Sequence, residues 1–154
     1  MLTLILKTTH ILSALLFLGV GIGSAWYKWR ADRSGNIEVI AWVQHEIVRA
    51  DLYFTTPTAI LLPATGIALV QLYGLPLTTP WIIAAIIAFV LTGALWLPAV
   101  WLQVQMRTLA DSALAEGTEL SPTFHRYHRY WIALGVPAFA LAMFVVWIMV
   151  AKRI

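Results

Sequence analysis

Four apolar stretches, at about residues 2–29, 46–73, 81–105 and 123–150, dominate this sequence. Each is long enough to cross a bilayer as a helix, which takes roughly 20 apolar residues. Joined by short links they nearly exhaust the 154 residues, leaving no room for a soluble domain. A composition that is 61% hydrophobic and 11% charged agrees with an integral membrane protein. The expected fold is therefore all-α: a single transmembrane domain, arranged as a four-helix up-down bundle with both termini on one side.

Local signals mark the ends of these spans. The first closes in Trp26, Tyr27, Lys28, Trp29 and Arg30, an aromatic and basic cluster of headgroup type. Arg33-Ser34-Gly35-Asn36 is a turn, and Asn36 can cap the next helix. That helix opens with Glu38, His45, Glu46, Arg49 and Asp51, so it starts outside the membrane, and Pro57 and Pro63 predict kinks within it. Thr55 and Thr56 stand ready to satisfy the carbonyls those prolines free. Gly74 to Pro80 is a tight turn, and span three opens at Trp81. Asp111 to Leu120 reads as a polar link, Ser121-Pro122 as a capped helix start, and span four exits at Lys152-Arg153 with Pro137 inside it.

The basic residues divide unevenly between the two ends. Lys28, Arg30, Arg33, Arg49, Arg107, Arg126 and Arg129 fall on the link side, against Lys7, Lys152 and Arg153 on the terminal side. By the positive-inside rule both termini are external. The net charge of +3 with a pI near 9.5 does not indicate nucleic acid, because these residues flank apolar spans. The first span is too long for a removable signal peptide and is expected to remain. With no cysteine the chain has no disulfide, thiolate metal ligand, covalent c-type haem or cysteine nucleophile. No Ser-His-Asp order or phosphate loop appears.

The candidate chemistry rests on histidine. His10 lies about two turns inside the terminal-side edge, where an imidazole needs a hydrogen-bond partner or a metal. It reads either as a histidine bonded to a neighbouring helix or as a ligand of haem iron, with Met143 of span four at the same depth as a sixth ligand. His45, His125 and His128 fall at the opposite edge. His125 and His128 share a face at i, i+3, so that His45 and His128 could hold a second metal or haem with Glu46 or Asp51. The plainer reading is a solvated helix edge. Asp51 and Arg49 look like the most buried charges of span two, and Asp51 is expected to pair with Arg126 or Arg129. Gly19, Gly21 and Gly23, with Ser13, Ala14, Ser24 and Ala25, read as a helix-packing surface.

These residues also carry a family resemblance over nearly the whole chain. Lys7-Thr8-Thr9-His10-Ile11-Leu12, Asp51-Leu52-Tyr53, Pro57, Gly66, Trp81, Trp131, Pro137 and Lys152 resemble four-helix membrane proteins related to HemJ, a haem-containing protoporphyrinogen oxidase, and to CopD-type copper-resistance proteins. Within that group the chain is similar to an uncharacterised family of bacterial integral membrane proteins. The resemblance implies the bacterial inner (cytoplasmic) membrane and b-type haem, with His10 matching the histidine implicated in haem binding. The lysine that such oxidases carry early in helix three is absent, Ala85 or its neighbours taking its place, and Asp51 stands where arginine is usual. The expected function is electron transfer or oxidation of a small redox substrate, with a redox partner or quinone. Copper or other metal handling, and a non-catalytic membrane subunit, are the alternatives.

Overall fold

The computed structural model describes residues 1–151. Among them the elements are α1 (Leu2–Ser34), α2 (Ile37–Ala50), a five-residue π-helical turn (Asp51–Thr55), α3 (Thr56–Leu72), α4 (Pro80–Glu116) and α5 (Pro122–Ala151). The helix α2, the π-turn and α3 run on as one span, so four helical rods are long and apolar enough to cross a membrane. This is the expected up-down bundle. Lys152 and Arg153, counted above among the terminal-side charges, lie outside the described residues.

The rods form an incomplete ring. The α1 rod packs against α2 and α3, α2 against α4, and α4 along much of its length against α5, whereas α1 and α5 barely touch. The best-packed region is at the link end, where Ala31, Ile40, Ala41, Ile47, Leu102, Met106, Ala110 and Phe124 form one buried cluster. Alanines let these helices approach closely, and Met106 and Phe124 fill the remaining space. Elsewhere most large apolar side chains face outward, as a bilayer solvent requires.

Helix ends follow the local chemistry. The Asn36 side chain accepts from the Glu38 and Val39 amides at 2.9 and 3.3 Å, and the Ser121 hydroxyl accepts from the Phe124 amide at 3.3 Å. Two ends differ from expectation. The first helix continues past Trp29 to Ser34 and stops at Gly35, whose φ of +65° suits a residue without a Cβ. The fourth continues to Glu116, so most of the expected link from Asp111 is helical. Met106, Ala110 and Ala113 recur there on one buried face, and tertiary packing outweighs the polar residues between them.

Candidate functional site

The opening between α1 and α5 leads to a cavity of about 610 Å³, also bounded by α4. Its size is within the roughly 300–1,000 Å³ range of small-molecule pockets. Phe17, Trp26, Trp29, Trp96, Trp131 and Phe139 supply apolar wall, while Lys28, Asp51, Gln103 and His128 are gathered on the lining with Thr55 and Thr92. Gly21 of α1 and Gly135 of α5 both border it, and a Cβ at either would meet nothing within 4 Å. The same openness holds at Gly19 and Gly23. The glycine run is therefore not the helix-packing surface expected. Ser13, by contrast, is buried.

Asp51 reaches the cavity through the π-turn. Pro57 has no amide hydrogen, and its ring would collide with the carbonyl four residues earlier in a regular helix. The chain widens instead: the Thr56 amide bonds the Asp51 carbonyl, five residues back, and the Thr56 hydroxyl donates to the same oxygen at 2.8 Å. The Thr58 hydroxyl donates to the Phe54 carbonyl at 2.7 Å. The irregularity thus precedes Pro57. Thr56 takes the carbonyl-satisfying role expected of it, while Thr55 turns to a side chain, donating to Asp51 Oδ1 at 2.7 Å.

Gln103 of α4 stands beside the Asp51 carboxylate. Asp51 Oδ2 and Gln103 Oε1 are nevertheless buried without a partner, although their residues are only 7% and 5% exposed. A buried unpaired polar atom costs about 1–3 kcal/mol, so two on one cavity lining are an unmet demand for hydrogen-bond donors. The expected pairing of Asp51 with Arg126 or Arg129 does not occur, since both arginines are exposed. Arg49 is exposed too, bonded to Glu46 at 2.7 Å. Reach explains both outcomes: Arg side chains near the link end extend to the interface rather than into the bundle.

Lys28 is the buried cation on this lining that the sequence does not announce. Placed by its neighbours at headgroup level, it is 1% exposed. Its ammonium lies 3.2 Å from Asp32 Oδ2, over the Phe124 ring at 5.0 Å and the Trp131 ring at 5.8 Å. The same oxygen is 3.3 Å from His128 Nδ1, without hydrogen-bond alignment, and the His128 ring stacks on Trp131 at 6.4 Å between centroids. One carboxylate thus holds a cation of α1 and an imidazole of α5. The available signal was the helical spacing of Gly21, Ser24, Ala25, Lys28 and Asp32, a face that continues inward.

The remaining candidates are dispersed. His45 Nε2 lies 3.0 Å from both Asp111 oxygens, tying α2 to α4, so it does not join His128 in a clamp. His125 is exposed, its ring edge-on to Phe124. Met143 is 45% exposed and does not line the cavity. Among the described residues no three His, Asp or Glu side chains converge to hold a metal ion.

His10 is fixed against α3. Its Nδ1 is 2.9 Å from Thr65 Oγ1, and that hydroxyl donates to the Leu61 carbonyl at 2.6 Å. Thr65 oxygen is therefore the acceptor and Nδ1 carries the hydrogen, an assignment made from the network. The Leu62 carbonyl also lies beside the ring. This is the helix-bonded histidine of the plainer reading, yet it leaves the lone pair on Nε2. Gly66 makes the room: a Cβ there would stand 3.3 Å from His10 Cε1.

No curated protein and no solved structure matches the chain. A family profile described as a predicted integral membrane protein matches residues 4–153. The chain accordingly belongs to the DUF2269 family of predicted integral membrane proteins.

Proposed function

We propose that the protein binds b-type haem through His10 and acts in electron transfer or small-molecule oxidation at the bacterial cytoplasmic membrane. The observation that carries this reading is the His10–Thr65 contact. Metal-ligating histidines commonly donate their second ring nitrogen to a fixed acceptor, which sets the tautomer and the ring plane. Thr65 does this for Nδ1 and so leaves Nε2 unprotonated. Gly66 admits the imidazole, since a Cβ there would stand 3.3 Å from its Cε1.

The donor set suits haem better than a moved metal ion. Porphyrin supplies four nitrogens, so a single histidine suffices for attachment. A copper-handling site needs several protein ligands at one point, and among the described residues they do not converge. When bound, haem would supply one-electron chemistry between ferric and ferrous iron. The chain's own part is to present Nε2 and to exclude water. The relation to HemJ-type and CopD-type proteins is part of this proposal, and so is the orientation with external termini. The latter is supported by seven basic residues, Lys28, Arg30, Arg33, Arg49, Arg107, Arg126 and Arg129, at the link end.

The test is a reduced-minus-oxidised spectrum of protein purified in mild detergent from haem-replete cells. A haem signal present in the wild type and lost in His10→Ala supports the assignment. Its absence from the wild type, or its persistence in His10→Ala, refutes it.

A further inference from the structure

We infer that the cavity between α1, α4 and α5 is a binding site for a lipid-soluble quinol, entered sideways from the bilayer. The inference extends the redox reading to a substrate class but stands on observations separate from His10, which does not line this cavity.

Three features select the ligand. Its path is set by the opening between α1 and α5, which touch only slightly, so a molecule dissolved in hydrocarbon reaches the site without crossing the headgroup layer. Its body is set by Trp26, Trp29, Trp96 and Trp131, whose indoles offer faces and edges to a flat ring. Its polar end is set by Asp51 Oδ2 and Gln103 Oε1, buried hydrogen-bond acceptors without partners among the described residues. An aromatic hydroxyl group would supply a donor at this end.

The same atoms disfavour an anionic lipid or fatty acid. Lys28 is the cation such a head would need, but Asp32 already stands 3.2 Å from its ammonium. An anion would also face the Asp51 carboxylate. A quinol brings no charge and offers a hydroxyl donor to these acceptors. Gly21 and Gly135, open on opposite sides of the cavity, keep the space that its ring requires.

The experiment is tryptophan-fluorescence titration of the detergent-purified protein with a decyl-substituted benzoquinol kept reduced under argon. Saturable quenching is expected, with affinity lowered about tenfold in Asp51→Leu and in Gln103→Leu, and lost in Gly21→Leu, which fills the cavity without touching a polar group. Circular dichroism shows whether each variant retains its helices; if the polar variants unfold, Gly21→Leu alone decides. Quenching preserved in His10→Ala keeps this result independent of the haem assignment. The inference is overturned by unsaturable quenching, by unchanged affinity in folded Gly21→Leu, by oleate displacing the quinol at equal concentration, or by a haem signal that requires His128 and blocks quinol binding.

Discussion

His10 on α1 and Gly66 on α3 meet so closely that a Cβ on Gly66 would lie 3.3 Å from imidazole Cε1. That distance is tight but within reach of a small ring displacement, so the size of the substituent decides the outcome. In Gly66→Ala the better helix propensity of alanine, worth about 1 kcal/mol, offsets the crowding, and thermal stability in detergent should change little. Gly66→Leu leaves no place for the imidazole and should remove the haem signal as completely as His10→Ala. Spectra of both variants against the wild type check this.

Thr65 is the other half of that arrangement. Thr65→Val keeps the shape while removing the acceptor for Nδ1, so an imidazole N–H is left without its partner. A loss of about 1–3 kcal/mol in unfolding free energy is expected, measured by denaturant titration in detergent. Thr65→Ser keeps the hydroxyl and should recover most of it. Equal stability of the valine and serine variants would show that the contact is incidental.

Lys28 and Asp32 are coupled in a different way. With Lys28 1% exposed, Asp32→Ala leaves a buried ammonium without its carboxylate, a change that costs about 3–5 kcal/mol. Lys28→Met in the same chain removes the charge and keeps the stem that lies across Phe124 and Trp131. The double variant should recover most of the loss, and a double-mutant cycle measures the coupling. The exposed pair Arg49–Glu46 is the internal contrast, expected to contribute about 0–1 kcal/mol.

The architecture is legible because each span advertises itself by length and by local start and stop signals: Asn36 and Ser121-Pro122 open helices, and Gly35 and Gly74 follow helix ends. What sequence reading misjudged was direction. Lys28 sits in a cluster whose other members, Trp26, Tyr27 and Trp29, are all exposed, and only its phase on the helix separates it from them. Small residues usually permit close helix contact, but the space beside the glycines of α1 stays open. Asp51 could not be placed because its orientation depends on the π-turn. That turn is set by Pro57 together with threonine hydroxyls, a backbone event that hydropathy does not register.

The dispersal of the histidines gives a further expectation. His45 is tied to Asp111 on the helices α2 and α4, His125 is exposed and Met143 faces outward. His45→Ala, His125→Ala and Met143→Leu should each leave the haem signal and the quinol titration unchanged. His45→Ala should lower stability by no more than about 1 kcal/mol, since both partners are substantially exposed. A haem signal that disappears in His45→Ala would instead place the cofactor at the link end.

The π-turn sets the phase of Asp51 relative to Thr65 and Gly66 of α3, and it can be removed without changing any lining side chain. It holds one more residue than an α-helix would, and one residue corresponds to about 100° of rotation. Deleting Leu52, which is exposed and contacts neither Asp51 nor Gln103 by hydrogen bond, should let the segment relax to regular α geometry. Helix content by circular dichroism is then preserved, because the α-helical hydrogen bonds replace the wider ones. The Asp51 segment and α3 change phase relative to one another, so Asp51 can keep its place on Gln103 only if Thr65 and Gly66 turn away from His10. Either the quinol affinity or the haem signal must fall in a folded deletion variant. Retention of both would show that the π-turn has no part in positioning Asp51.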